Sequence, residues 1–327
     1  MAIEKFALGA DISWYPQMLE SGFGFRNAEG QKEDLLTILR DYSINTIRLR
    51  VFVHPSNDPH NGHCSAEETL ELAKKCCKRG FRILLDFHYG DSWCDCGKQP
   101  KPAAWEGKKA KELENCVADF TRQTMEKFFS QGIVPEWVQI GNETNLGMLL
   151  PEGSTDHFEQ LVRLYNAGND AVKAVCPQSK TMIHLSEMSK SDFIIHYFEQ
   201  LERLKCRYDM IGFSYYPYHL PEMNYTECRN GFIRTLQEVP KRFGKKVMVV
   251  EIGGVDEQEE KSYQLMMDAA EDIQRQPECT GLLWWEPEGA QCWSHYPLSA
   301  WRNDGTPTHA MDAFQDAAAI LLKRKTD

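Results

Sequence analysis

Two glutamates in this sequence have the side chains and the setting for paired acid–base chemistry. Glu143 follows the apolar run Trp137–Gly141, and Glu251 ends the run Lys246–Glu251. Cleavage of a glycosidic bond with retention of configuration needs one protonated and one ionised carboxyl about 5–5.5 Å apart. Their surroundings must push the two pKa values apart. The pair therefore predicts a retaining glycosidase, with Glu143 as acid/base and Glu251 as nucleophile.

Asn142 directly precedes Glu143 and is the first candidate to assist the pair. Its amide can donate a hydrogen bond to a sugar 2-hydroxyl, a contact that strengthens in the transition state. The same dipeptide also occurs as a helix N-cap followed by a first-turn acid. The position at the end of an apolar run, with Glu251 ending another, favours the catalytic interpretation.

Two arginines, Arg48 and Arg50, lie in the second apolar run. We expect one of them to point into the site and the other to point away from it. Arg50 is nearer the end of the run, and it is the better candidate to keep Glu251 ionised through a charge-assisted hydrogen bond. An internal ion pair with Asp86 or Asp11 is equally compatible with the sequence.

Aromatic residues are abundant in the segments that follow the apolar runs. Sugar rings have apolar faces that pack on aromatic planes, and large apolar groups in clefts dominate ligand binding. Core packing is the alternative, above all for one of two adjacent tryptophans. The candidates are Trp14, Tyr15, Tyr89, Trp93, Trp105, Tyr216, Tyr218, Trp284, Trp285 and Trp293.

These residues are positioned by an alternation of short apolar runs and longer amphipathic stretches. The runs that predict strands are Phe6–Ile12, Thr46–Val53, Arg82–His88, Trp137–Gly141, Thr181–Ser186, Met210–Tyr215, Lys246–Glu251 and Thr280–Trp285. Eight such repeats indicate a (β/α)8 TIM barrel, an α/β fold, as a single domain over residues 1–327. A doubly wound open sheet is the alternative, but no glycine-rich phosphate fingerprint follows the first run.

Composition limits the classes of partner. The 327 residues carry a net charge of −11, with 42% hydrophobic and 26% charged residues. The acidic balance disfavours nucleic acid or an anionic membrane, because both attract basic patches. No apolar run is long enough to span a bilayer. The charge does not choose among neutral substrates, and a neutral sugar polymer is compatible with it. We expect a monomer whose partner is a neutral β-linked polysaccharide or oligosaccharide.

The N-terminal segment Met1–Phe6 has no hydrophobic region of the kind found in a signal peptide. Two locations are compatible with it. The protein is secreted or in the cell envelope if a signal peptide has been removed, and it is cytoplasmic if Met1 is the native start.

Eleven cysteines and one histidine-rich loop raise the question of disulfides and metals. Scattered free thiols are the favoured interpretation, with a local disulfide at Cys94 or Cys96 as the rival. The loop contains His54, His60, His63 and Cys64, but this spacing matches no common zinc pattern. We expect no metal site and no cofactor.

Taken together, these segments resemble glycoside hydrolase family 53, the endo-β-1,4-galactanases, in the clan of retaining barrel enzymes. The resemblance runs from Gly9 to Trp301 and rests on Arg48–Val51, Leu85–Trp93, Lys101–Trp105, Val138–Asn145, Gly212–Tyr218 and Trp284–Pro287. It implies the same roles for Glu143 and Glu251. It also implies sugar contacts, which with Arg50 form our substrate-binding set, by His88, Asp91, Trp93, Asn142, Tyr215 and Trp285.

The sequence departs from the family pattern at two places. Glu251 is followed by Ile252–Val255, where the family often carries an aromatic residue and a proline, and we expect Gly253 and Gly254 to widen the groove there. The segment Trp285–Trp301 is short, whereas some bacterial members have a longer loop associated with calcium. This second departure leaves calcium and the number of sugar subsites open.

The resemblance implies endo-hydrolysis of β-1,4-galactan, the neutral side chain of pectin. We expect an open groove lined by Trp93, Trp105, Tyr216 and Trp285. The alternatives are an exo-acting or differently specific β-glycosidase on short oligosaccharides, a non-catalytic carbohydrate-binding barrel, and a metal-dependent barrel hydrolase. The last would usually place a His-x-His pair on the first strand, where this chain has Ala10-Asp11-Ile12.

Overall fold

The computed structural model describes residues 6–255 and 258–323, so most of the N-terminal segment Met1–Phe6 lies outside the described residues. Eight parallel strands close into a barrel, each pairing with its neighbours in chain order and the last pairing with the first. We number them β1 (Ala7–Asp11), β2 (Thr46–Val51), β3 (Arg82–Phe87), β4 (Trp137–Ile140), β5 (Lys180–Leu185), β6 (Met210–Tyr215), β7 (Lys246–Ile252) and β8 (Cys279–Trp285). The predicted (β/α)8 barrel is confirmed, and its extent over residues 1–327 stays a prediction.

Helices surround the barrel and connect its strands. They are α1 (Tyr15–Glu20), α2 (Leu35–Asp41), α3 (Ala66–Lys78), α4 (Ala110–Ser130), α5 (Phe158–Val175), α6 (Ser191–Arg203), α7 (Tyr225–Phe243), α8 (Glu259–Gln274), α9 (Gln291–Ser294) and α10 (Asp312–Leu321). Two of them begin at capping boxes, formed by Ser65 with Glu68 and by Asn224 with Glu227. A two-stranded antiparallel hairpin, Gly147–Met148 with Gly153–Ser154, lies in the connection from β4 to α5. No helix among the described residues is long and apolar enough to cross a membrane.

The strands are buried on both faces, which is typical of a parallel sheet covered by helices. Side chains at alternate positions fill the barrel interior, and these include Leu84, Trp137, Met182, Met210, Met248, Val250 and Leu283. The opposite positions pack against the helices in the larger apolar core. Towards the C-terminal ends of the strands the inward positions become polar, as in Asp11, Asp86 and Gln139. The polar end of the interior is the end at which barrel enzymes place their active sites.

An irregularity in β7 directs Glu251 into this polar end. On β6, Phe213 and Ser214 are adjacent, but their partners on β7 are Val249 and Glu251. On the other side, two steps along β8 correspond to three steps along β7 in the same stretch. One extra residue is therefore present in β7, which is a β-bulge, and bulges of this kind re-aim side chains next to active sites.

Candidate active site

A cavity of about 400 Å³ opens at the C-terminal ends of the barrel strands, and both predicted catalytic glutamates line it. Glu143 is 8% exposed and Glu251 is 5% exposed. One carboxylate oxygen of each glutamate and one ring nitrogen of His184 all lie within 4.8 Å of one another. The structure therefore brings the two carboxyls together from strands on opposite sides of the barrel mouth.

Glu143 follows β4 in a conformation that the surrounding structure has to impose. Its φ is 44°, in the left-handed region that costs free energy for a residue with a Cβ, and Gly141 before it has a φ of 89°. The Gln99 side chain donates to the carbonyl of Asn142 at 2.7 Å and fixes this turn. Burial raises the pKa of the Glu143 carboxyl, and a hydrogen bond with Ser214 opposes that rise. A raised pKa suits a proton donor.

Glu251 lies on β7 with a cation and a phenol against its carboxylate. Arg48 Nη2 is 2.9 Å from Oε1, and the Tyr216 hydroxyl donates to Oε2 at 3.1 Å. Burial raises the pKa of Glu251 and the nearby Glu143 adds to that rise, whereas Arg48 lowers it. Arg48 contacts Glu251 directly, which favours the ionised form of Glu251.

Arg48 is the residue that joins the buried polar side chains at the base of the cavity. Its guanidinium donates to Asp11 at 2.9 Å, to Asp86 at 2.8 Å, to Gln139 at 2.7 Å and to Asn142 at 2.7 Å. The side chain has no exposed surface. A planar guanidinium can make this many directional contacts at once, which a lysine ammonium cannot.

The predicted contact between Arg50 and Glu251 is wrong. Arg48 makes that contact, and Arg50 instead pairs with Glu286 and lies 3.5 Å from Asp11. The expectation that the two arginines point to opposite faces is also wrong, because residues two apart in a strand share a face. Internal ion pairs, the alternative that the sequence left open, are present for both arginines.

His88 and Asn142 line the cavity in orientations set by their hydrogen bonds. His88 Nδ1 accepts from the Cys94 amide at 2.9 Å, so its proton is on Nε2, which lies 3.0 Å from Asp86. The Asn142 amide donates to the carbonyl of Cys94 at 2.8 Å. Its contact with a sugar hydroxyl stays a prediction.

Comparison with known proteins assigns the chain to a family. The family model of glycosyl hydrolase family 53 matches residues 7–280, which is most of the chain. The chain belongs to glycosyl hydrolase family 53. It is therefore a glycoside hydrolase, and the resemblance seen in the sequence is confirmed.

Two curated relatives illustrate the relationship. The chain is 32% identical over 258 residues to an endo-β-1,4-galactanase of Bacillus subtilis, a match that covers 76% of this chain and 56% of that protein. It is 31% identical over 249 residues to arabinogalactan endo-β-1,4-galactanase A of Emericella nidulans, covering 74% and 69% respectively. The B. subtilis protein is thus matched over little more than half of its length.

Solved structures agree with the fold. The catalytic domain of a family 53 protein from Ignisphaera aggregans superposes with a TM-score of 0.87 at 26% identity, covering 96% of each chain. A structure described as one of two fungal β-1,4-galactanases superposes with a TM-score of 0.86 at 24% identity, covering 95% of this chain and 99% of that one. The second likeness supports the fold alone.

A cluster of aromatic rings forms one wall of the cavity in this family 53 hydrolase. The ring centroids of Trp14, Trp93 and Trp285 are mutually 5.2–5.3 Å apart, and Tyr296 lies 4.8 Å from Trp285. The guanidinium of Arg50 lies 4.6 Å from the centroid of Trp93. Trp93, Trp285 and Tyr296 line the cavity, and Trp14 is 5% exposed behind them. Arg50 therefore lies behind the aromatic wall rather than in the cavity.

Two residues of the predicted substrate-binding set have other surroundings. The ring of Tyr215 packs at 4.3 Å from that of Phe232 on α7, whereas its neighbour Tyr216 reaches Glu251. Asp91 accepts hydrogen bonds from the amides of His54 and Ala103, each at 2.9 Å, so it joins two segments of the surrounding loops. Their direct sugar contacts stay predictions, although Tyr215 does line the cavity.

The predicted widening of the groove at the glycines after Glu251 is wrong. A Cβ on Gly253 would lie 2.6 Å from Tyr216 Cε1 and 2.9 Å from the Tyr296 hydroxyl, so two tyrosines fill that space. Trp105 is not a groove residue either. It is 7% exposed and its ring lies 6.2 Å from that of Phe120 on α4.

The sequence analysis missed His184, Ser214 and Tyr296. His184 Nε2 lies 2.8 Å from the Ser214 hydroxyl, and Nδ1 lies 2.9 Å from Asn142 Oδ1. Both residues are polar positions inside otherwise apolar strands, a signal that was available in the sequence. Tyr296 comes from the segment after β8, and nothing local marks it as a site residue.

The structure locates the cysteines and one group of side chains with the geometry of metal ligands. Neither Cys94 nor Cys96 forms a disulfide bond, so the local disulfide considered for them is wrong. Among the described residues, one group has metal-ligand geometry, namely Glu143, His184 and Glu251. Both ring nitrogens of His184 already face side-chain partners. This leaves two carboxyls free to react, which suits an acid and nucleophile pair better than a metal centre.

Proposed function

We propose that this glycoside hydrolase is a retaining endo-β-1,4-galactanase that acts on the galactan side chains of pectin. The observation that carries the mechanism is the approach of the Glu143 and Glu251 carboxylate oxygens to within 4.8 Å. Retaining glycosidases hold their carboxyls at about 5–5.5 Å, whereas inverting enzymes leave room for a water at about 6.5–9.5 Å. The galactan specificity is supported by the names of the relatives from Bacillus subtilis and Emericella nidulans.

The reaction proceeds by double displacement. Ionised Glu251 attacks the anomeric carbon while Glu143 gives its proton to the departing glycosidic oxygen, and a covalent glycosyl-enzyme forms. Glu143, now ionised, takes a proton from water, which attacks the same carbon and releases Glu251. Arg48 stabilises the ionised state of Glu251, and Asn142 is placed to bind the sugar 2-hydroxyl.

The cavity extends to both sides of the glutamates, which supports endo-cleavage. On one side lie the aromatic rings Trp93, Trp285 and Tyr296. On the other side, Glu187, Met188, His219 and Leu220 come from the loops after β5 and β6. An internal stretch of polymer can then span the site.

The mode of attack is tested by a time course on β-1,4-galactan. We expect early products of several lengths and a fall in viscosity that is fast relative to the appearance of reducing ends. Other β-linked polysaccharides serve as controls and should be hydrolysed far more slowly. Release of a single short product while the polymer length barely changes would show exo-action, and equal rates on all polymers would overturn the galactan specificity.

Replacing Glu143 with glutamine tests the proton donor. We expect hydrolysis of galactan to fall about 10²–10⁴-fold, the usual contribution of general acid–base catalysis. The first step on an aryl galactoside with a good leaving group should be nearly unchanged, because such a group departs without a proton. Glu126→Gln, an exposed change on α4, is the matched control. Equal losses on both substrates would indicate a structural role.

A further inference from the structure

Glu288 is a buried acid that the proposed mechanism does not use. It lies in the turn after β8, and none of its surface is exposed. Neither of its carboxylate oxygens has a hydrogen-bond donor among the described residues. An ionised carboxylate in this position would have lost its water without any replacement, and such burial is too costly to be stable.

The groups that face Glu288 explain why it finds no donor. Its side chain meets that of Glu286, and the carboxylate of Asp11 also raises the pKa of Glu288. Arg50 is already paired with Glu286, and Asp11 has Arg48 at 2.9 Å as its closer cation. Glu288 therefore has no cation of its own among the described residues, and its carboxylate and that of Glu286 face each other as two acceptors unless one of them carries a proton.

Glu286 has both of its oxygens in use. One pairs with Arg50, and the other accepts the backbone N–H of Trp14 at 3.3 Å. Arg50 in turn lies 4.6 Å from the ring of Trp93 and 5.7 Å from that of Trp285. Glu286 thus connects Glu288 to the aromatic wall of the cavity.

We propose that Glu288 is held as a neutral carboxylic acid that donates its proton to Glu286, and that this hydrogen bond positions Arg50 and the aromatic wall for sugar binding. Glu288 is a positioning residue, since Trp93 and Trp285 line the cavity and Glu288 does not. Burial first, and then the neighbouring Glu286, raise the pKa of Glu288 well above its ordinary value. Both effects favour the protonated form, which is the form that the proposed hydrogen bond needs.

Loss of this proton at alkaline pH has a defined consequence. A second negative charge beside Glu286 would compete for Arg50 and repel Glu286, so the rings that rest on Arg50 would lose their support. We expect KM to rise severalfold with pH, because a wall that binds substrate is disturbed, while kcat follows only the titration of the catalytic pair.

Glu288→Gln is the test, because glutamine has nearly the same shape, can donate an N–H to Glu286 and cannot ionise. At neutral pH we expect wild-type KM and kcat, and at alkaline pH we expect the variant to lack the rise in KM. Infrared spectroscopy at neutral pH should show the C=O stretch of a protonated carboxylic acid in the wild type, weakened in Glu288→Gln. The matched control, Glu271→Gln on the exposed face of α8, should change neither readout.

The thermal unfolding midpoint gives a third readout with a defined sign. A carboxyl whose pKa is raised on folding adds stability at low pH, and this stability is lost as the pH rises from its unfolded pKa through its folded pKa. The midpoint should therefore fall less steeply with rising pH in Glu288→Gln than in the wild type.

Two results would overturn the proposal. One is an infrared band that is identical in the wild type and Glu288→Gln, and the other is an alkaline rise in KM that persists in the variant. The kinetic readout rests on the proposed hydrolysis of galactan, whereas the infrared and thermal readouts need no substrate. A wrong substrate and a wrong protonation state are therefore distinguishable.

Discussion

Replacing Glu251 with alanine is expected to reduce hydrolysis of galactan by at least about 10³-fold, which corresponds to roughly 4 kcal/mol of transition-state stabilisation. The covalent intermediate cannot form without the nucleophile, and the Arg48 charge that faced Glu251 at 2.9 Å is left without this partner. The measurement is kcat/KM on galactan, with circular dichroism to show that the barrel is folded.

Rescue by azide makes this test specific for the nucleophile. Removal of the side chain opens space on one face of the sugar, while Glu143 still supplies a proton on the other face. Added azide should restore cleavage of an activated galactoside and give a glycosyl azide of inverted configuration. Ordinary turnover by Glu251→Ala, or rescue with retained configuration, would contradict the assignment.

The second large effect is expected at Arg48. In Arg48→Met, three buried carboxylates, those of Asp11, Asp86 and Glu251, lose a direct cationic partner. Removal of one partner from a buried ion pair costs about 3–5 kcal/mol. We therefore expect the free energy of unfolding to fall by about that amount in chemical denaturation, together with a loss of activity.

Arg48→Lys separates charge from geometry. Lysine keeps the positive charge but cannot reproduce the contacts of Arg48 with Asp11, Gln139 and Asn142. We expect this variant to fold and to retain partial activity. Its acidic limb in the pH profile of kcat/KM should move to higher pH, because a weaker cation at Glu251 lets the pKa of that carboxyl rise further. An unchanged limb would mean that Arg48 does not control the ionisation of Glu251.

The wild-type pH profile follows from the same electrostatics. Activity needs Glu251 ionised and Glu143 protonated, so the profile should be bell-shaped. Burial raises the pKa values of both carboxyls, and we therefore expect both limbs to lie above the ordinary glutamate value of about 4.3.

The barrel and the two glutamates could be predicted from local sequence patterns. Strands buried on both faces give continuous apolar runs, and the helices between them give amphipathic stretches, so the alternation is local information. Glu143 and Glu251 follow from it, because each stands at the end of such a run. Free cysteines and the family were also open to sequence reasoning, since they depend on composition and on long motifs.

The contacts between side chains at the site depend on long-range packing and could not be predicted from local sequence. The bulge in β7 adds one residue between Val249 and Ile252, and a strict two-residue period would have placed Glu251 on the same face as Val249. The space beside Gly253 is filled by Tyr216 and Tyr296, the latter more than forty residues away in the chain.

The charged network was decided in the same way. Arg48 and Arg50 lie on the same face of β2. Their carboxylate partners come from four other strands or from the loops after them. A guanidinium pairs with the carboxylates that the folded barrel places within hydrogen-bond distance. The distance between the two groups depends on how the strands pack, and local sequence does not encode it. Glu288 shows this most clearly. As a residue in a Glu-Pro-Glu-Gly turn it would be expected to face solvent, but this turn is packed on both sides. The Ala300 amide donates to the carbonyl of Pro287, and Gly289 lies against the ring of Trp14.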